Sequence, residues 1–131
     1  MSDKATPARR NTFKSPKPDP IRLLVFDILQ EVNQGGGYSN LLLPSALTDS
    51  KFEQRDKGFA TELLYGTLRM QGRLDYIAAQ ISDRPWNEVD NGIVDVIRLG
   101  AHQLFEMRVA THAAVSETVE LARKVLGESK A

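Results

Sequence analysis

The sequence contains no cysteine. That excludes disulfides, a thiolate metal site and a cysteine nucleophile. Histidine occurs only at His102 and His112, and neither sits in an HExxH pattern or among the clustered carboxylates that a metal site requires. No apolar run approaches the roughly 18 residues of a membrane span. The polar amino terminus lacks the apolar stretch of a signal peptide. These absences predict a cytoplasmic chain with no membrane partner. Gly35-Gly36-Gly37 lacks the strand and helix setting of a dinucleotide site and reads as a helix-terminating linker. Ser39 and Ser116 lack a nucleophile elbow, and no two carboxylates read as an acid and base dyad. The expectation is that this chain alone catalyses nothing and holds neither metal nor cofactor.

What is present fits one helical domain. A length of 131 residues supports a single core. Net charge is zero, but unevenly spread. Residues 1–20 hold five basic and two acidic side chains, and the other 111 hold 12 basic and 15 acidic, so +3 balances −3. Residues 1–18, with three of the six prolines, are expected to form a disordered basic tail. Residues 19–131 are expected to form the folded domain. Such a tail fits nucleic acid, and equally a solvated arm without a partner.

The periodicity predicts an all-α bundle. Asp19-Pro20 is an N-cap followed by proline at the first helical position. Ile21, Leu24, Val25, Ile28 and Val32 then recur at helical spacing to about Asn33. Leu41-Leu42-Leu43-Pro44 reads as a short helix or turn plugging the bundle, and Thr48, Asp49 and Ser50 are cap candidates for a long central helix. In that helix Phe59, Ala60, Leu63, Leu64 and Leu68 form a broad apolar arc. Gly72 is a candidate bend. The next helix starts at Asp90 and is apolar except for a stripe of Asp95, Arg98, His102 and Glu106, which predicts a second buried element. In the last helix Thr111 is the cap candidate, and Val115, Val119, Ala122 and Leu126 the inner face. No run of period-two alternation competes with these helices.

Arg55, Glu62 and Arg69 stand seven residues apart on the central helix, with Gly66 between the last two. A glycine there costs about 0.5–1 kcal/mol relative to alanine, so close packing at Gly66 is expected. Arg69 and Arg73, four apart, repel one another. RNA phosphate would relieve that, and so would carboxylate partners. Arg98 on an apolar helix calls for an acidic partner, and Glu62 and Glu117 are the candidates for structural ion pairs with it. His102 reads as a hydrogen-bonded interior histidine.

The segments RDKGFATELLYGTLR (55–69), Leu74-Asp75 and IRLGAHQLFEMRVATHAAVSETVELAR (97–123) resemble the NusB-like domain that begins the bacterial small-subunit ribosomal RNA cytosine methyltransferases of the Sun/RsmB family. The transcription antitermination factor NusB shares the fold, but GGGYSN, ELLYGTLR and HAAVSETVELA are more similar to the methyltransferase version. The resemblance spans roughly residues 20–126. Arg55, Glu62, Tyr65, Gly66, Arg69, Arg98, Gly100, Gln103, His112 and Glu117 fall on its motif positions, and Ala110 departs from a common proline. It implies a helical RNA-binding module attached to a catalytic domain that uses S-adenosylmethionine and a cysteine, neither site being in this chain. It also implies a further apolar helix beyond Ala131, without which part of the Val115–Leu126 face is left open and invites a homodimer.

Three functions follow as expectations. The first is an RNA-binding, substrate-positioning domain, with Arg9, Arg10, Lys14, Arg55, Arg69 and Arg73 as phosphate contacts, ribosomal RNA as partner and a methyltransferase domain downstream. The second is a free-standing antitermination factor of the NusB type. The third is a helical docking module that touches no RNA. The reading frame beyond residue 131 separates the first two: a long α/β extension is expected for the methyltransferase and a stop codon for the antitermination factor.

Overall fold

The computed structural model describes residues 17–130, which form five α-helices and one short 3-10 turn, with no strand among them. The chain is all-α, as the periodicity requires. Helix α1 spans Pro20–Gly35. The Asp19 carboxylate accepts from the Arg22 backbone N–H at 3.1 Å, satisfying a donor that the first turn leaves free. The helix stops at Gly36, whose φ of +75° suits a residue without Cβ and lets its N–H reach back to the Glu31 carbonyl.

Helix α2 spans Ser39–Asp49 and contains Pro44. Leu43 is fully buried and Leu42 packs against the core, but Leu41 is exposed. Only part of the leucine run plugs the bundle. Thr48 and Asp49 close α2 rather than opening the next helix, and the Ser50 hydroxyl donates to the Leu47 carbonyl at 2.8 Å. Helix α3 begins one turn later, at Gln54, with no side-chain cap. It runs unbroken through Gly72 to Ile81.

A 3-10 turn at Trp86–Glu88 leads to α4, Asn91–Phe105, which is capped by the Asp90 carboxylate accepting from Gly92 and Ile93 N–H. Helix α5, Thr111–Lys130, starts with the Ala114 N–H bonded to the Ala110 carbonyl, so the chain turns at Ala110 and not through a Thr111 side-chain cap.

All five helices contribute to one core: Val25 and Leu29, Leu43, Ala60, Leu63 and Leu64, Val96 and Leu99, then Leu121 and Val125. The apolar arc of α3 lies inward, with Ala60, Leu63 and Leu64 fully buried and Phe59 and Leu68 partly so. Two faces differ from the sequence reading. On α4 Asp95 is buried alongside His102, whose interior place was expected, while Ile97, Leu104 and Phe105 are exposed. On α5 the inner residues are Ala114, Leu121 and Val125, and Val115, Val119 and Leu126 are exposed. The physical reason is that α4 turns its polar stripe toward partners on α1 and α3. Val94, Val96 and Leu99 stay buried, while Ile97, Leu104 and Phe105 face out beside the outer apolar residues of α5.

Leu64→Ala is expected to cost about 2–5 kcal/mol because it empties a fully packed site. Leu41→Ala should change stability by less than about 0.5 kcal/mol. Midpoints of urea unfolding at unchanged slope provide the comparison.

Candidate functional site

The outer side of α3 carries Arg55, Glu62, Arg69 and Arg73, all exposed. Arg69 Nη2 stands 3.8 Å from Glu62 Oε2, with side-chain exposures of 64% and 54%. At that distance and exposure the pair contributes at most a few tenths of a kcal/mol and leaves Arg69 free to change partners. Among the described residues neither Arg55 nor Arg73 has a carboxylate partner. Arg9, Arg10 and Lys14, and the tail expected over most of residues 1–18, lie outside the described residues. The root of that segment is held on α5, where Lys17 N–H donates to Glu120 Oε1 at 3.0 Å and Asp19 N–H to Glu117 Oε1 at 3.3 Å.

Directly beneath the arginine line sits His102 of α4, with 1% of its surface exposed. Gly66 makes room for it: a Cβ there would lie 2.2 Å from His102 Nε2 and 2.6 Å from Cε1. The close packing expected at this glycine is therefore supplied by an imidazole edge. The ring is interior, as expected, but neither nitrogen has a hydrogen-bond partner. The nearby carboxylate is that of Glu62, its Oε2 3.6 Å from Nε2.

One turn deeper, a polar network ties three helices together. Arg98 donates through Nε and Nη2 to the two oxygens of Asp75, at 2.8 and 2.6 Å, and through Nη1 to Asp95 Oδ1 at 2.7 Å. The fully buried Asp95 also accepts from Gln30 Nε2 at 2.5 Å and Asn33 Nδ2 at 2.9 Å. Asn33 and Gln71 exchange amide hydrogen bonds at 3.1 and 3.2 Å. Burial works against the Arg98 charge, yet its hydrogen bonds to Asp75 and Asp95 and their negative charges outweigh it and raise the guanidinium above its ordinary value. A raised folded value means that the guanidinium's share of this stabilisation is complete at neutral pH and is lost as pH rises through that value.

The expected trio of Glu62, Arg98 and Glu117 is not brought together. Arg98 is indeed held by buried ion pairs, but with Asp75 and Asp95. Glu62 lies on the outer line of α3 and Glu117 accepts from the chain leading into α1. Asp75 and Asp95 escaped the sequence reading because each looks like an ordinary solvent-facing carboxylate. The usable signal was Gln30 and Asn33, three apart on one face of α1. A second unforeseen cluster binds the start of α1 to the end of α4: Arg22 donates from Nε to Gln103 Oε1 at 2.8 Å, pairs with Asp19 at 3.1 Å and lies over the Phe59 ring at 4.8 Å.

The exposed side of α4 forms an apolar groove of about 330 Å³ with the second half of α3 and the first half of α5. Ile77, Ile81, Trp86, Ile97, Phe105 and Val119 line it. Trp86 borders this groove. Among the described residues no group of histidines and carboxylates could hold a metal ion, and no helix is long and apolar enough to cross a membrane.

Comparison with known families matches residues 19–131 to the model of the NusB family. The chain belongs to the NusB family. Its relatives include a candidate methyltransferase of Mycobacterium tuberculosis, 42% identical over 117 residues, covering 89% of this chain and 25% of that protein. The ribosomal RNA small subunit methyltransferase B of Pseudomonas putida is 38% identical over 104 residues, covering 79% of this chain and 23% of its own length. A Bacillus subtilis protein carrying the same methyltransferase name as a probable function is 31% identical over 108 residues, covering 82% and 24%. This NusB-family chain therefore spans about a quarter of the length of the relatives it matches. No solved structure matches it significantly.

In this NusB-family domain Gly66→Ala is expected to destabilise by roughly 1–3 kcal/mol through overpacking against His102. Gly72→Ala, at an open helical position, should stabilise by about 0.5–1 kcal/mol. Asp95→Ala should cost about 3–5 kcal/mol by leaving Arg98, Gln30 and Asn33 short of an acceptor. Thermal unfolding of the three variants at one protein concentration tests all of these.

Proposed function

We propose that this chain is the RNA-binding, substrate-positioning domain of an S-adenosylmethionine-dependent ribosomal RNA cytosine methyltransferase, and that catalysis belongs to another part of that enzyme. The carrying observation is the alignment of most of this chain with about a quarter of relatives named ribosomal RNA small subunit methyltransferase B. The sequence itself supplies no cysteine to act as nucleophile, so the proposed role is to hold RNA while other residues perform methyl transfer.

Arg55, Arg69 and Arg73 are the phosphate contacts on the helix, with Arg9, Arg10 and Lys14 reaching from the amino-terminal segment. Helical rise puts Arg69 and Arg73 about 6 Å apart along α3 and Arg55 about 21 Å from Arg69, a line long enough to track several phosphates. Such contacts position RNA without reading its sequence. The antitermination reading is not favoured by the names of these relatives. A docking module without RNA contact would account for the apolar groove but not for the line of exposed arginines.

The apolar groove bears on partners. A methyltransferase domain in the same enzyme, or a second copy of this chain, would bury Ile81 and Phe105, which are 80% and 65% exposed. For the chain alone the occupant is the second copy. Sedimentation velocity should then find dimers at high concentration, and Ile81→Asp should return them to monomers; a monomer at all concentrations removes the homodimer.

RNA affinity should fall steeply with salt, each phosphate contact adding about 0.7 to the magnitude of the log–log slope for a single strand. The paired charge reversal Arg69→Glu and Arg73→Glu should lower both affinity and slope. Fluorescence anisotropy with a labelled fragment of small-subunit ribosomal RNA tests this, and a salt-independent or absent signal rejects the RNA-binding role.

A further inference from the structure

We infer that Tyr76 is a stacking platform for an unpaired base of RNA, set on the same line of α3 as the arginines that hold the phosphates. The inference rests on the reading of Arg69 and Arg73 as RNA contacts. It narrows the ligand to RNA with at least one base free of pairing and stacking.

Tyr76 is 68% exposed. It follows Arg69 by seven residues, as Arg69 follows Glu62 and Glu62 follows Arg55, so it continues their line along the helix. Helical rise puts it about 4.5 Å beyond Arg73 and about 10.5 Å beyond Arg69. Neither the core nor the groove accounts for it. Ile77 and Ile81, exposed on the same stretch of helix, line the groove with Leu74 and Ala78, whereas Tyr76 does not. Its side chain forms no hydrogen bond or ring contact with any described residue. A large aromatic ring therefore stands in water beside two exposed guanidinium groups.

The surface beside the ring is open. A helical side chain covers the turn before its own Cα, which for Tyr76 is the turn of Gly72 and Arg73. A Cβ at Gly72 would meet nothing within 4 Å. Gly66 makes room for His102, but Gly72 makes room for no group of the described chain, although a glycine inside a helix lowers its stability. Bare backbone there leaves space for a flat base to lie against the phenol ring. With Arg73 at the edge of that space and Arg69 one turn away, a nucleotide stacked on Tyr76 has cations beside its phosphates.

Little negative charge opposes this. The only carboxylate between Arg69 and Ile81 is Asp75, and Arg98 binds both of its oxygens, at 2.8 and 2.6 Å. Glu106 of α4 borders a hollow with Arg73, but the two form no ion pair. Glu62 lies on the far side of Arg69, about 21 Å from Tyr76 along the helix. Every base has a π face, so stacking tolerates sequence, while a duplex keeps its base faces inside the stack. The arginines then supply attraction to any RNA, and Tyr76 supplies the preference for an unpaired strand.

Fluorescence anisotropy with this chain, using a labelled single-stranded oligoribonucleotide and the same strand in a duplex, tests the platform. Tyr76→Ala should lower single-strand affinity roughly 5- to 100-fold, and Tyr76→Phe should keep it within about two-fold because the ring and not the hydroxyl stacks. Duplex affinity should be the same in all three proteins. The salt slope for the single strand should be unchanged in Tyr76→Ala and smaller by about 0.7 in Arg73→Gln, which removes a phosphate contact. The ring protons of Tyr76 should shift upfield when the single strand is added. An equal thermal midpoint for Tyr76→Ala shows that the fold is kept, as expected for so exposed a side chain. Undiminished single-strand binding by Tyr76→Ala overturns the platform and leaves RNA binding by the arginines standing. An equal loss of duplex affinity also overturns it, since the tyrosine would then be a general contact. Failure of the unaltered chain to bind either RNA overturns both the platform and the RNA-binding reading.

Discussion

Asp95 has no contact with solvent, and a carboxylate in that position stays charged only if its surroundings replace water. Arg98, Gln30 and Asn33 do so from two helices, while Asp75 on a third takes the other side of the guanidinium. The network is worth less as net stability than as a constraint. Its ions lose hydration comparable to what they gain from one another, but every mismatched register of α1, α3 and α4 leaves an unpaired charge inside. Apolar packing alone tolerates small slips that this arrangement does not.

The same constraint fixes which sides of α4 are hidden. Once Asp95 and Arg98 point toward α1 and α3, His102, seven residues after Asp95, lies on the same side and arrives at Gly66. Ile97, Leu104 and Phe105 are turned outward and complete the apolar groove with α3 and α5. A buried polar seam and an open apolar trough are therefore two consequences of one helix rotation.

The two sides of α3 differ in their surroundings. Its inner arc builds the core, while its outer line presents arginines whose ion pairing is too weak to hold them. Gly66 is where the two meet: interior histidine and surface carboxylate approach one another across a gap that any side chain would fill.

Local information in the sequence determined the helices and most of their ends. Asp19-Pro20, Gly36 and Asp90 act within one turn of themselves, and the α3 arc is so wide that only one orientation buries it. The outer arginine line and the need for close packing at Gly66 were legible for the same reason, since both follow from helical spacing along one element. Thr48, Asp49 and Ser50 misled because cap residues serve a helix stop as readily as a helix start. The faces of α4 and α5 were decided only in three dimensions. A polar stripe on an apolar helix points outward unless other helices bring partners to it, and Gln30, Asn33 and Asp75 are 65, 62 and 23 positions or fewer from the α4 groups they satisfy. Pairing between positions so distant leaves no periodic trace in one chain, so the buried seam belongs to the tertiary structure alone.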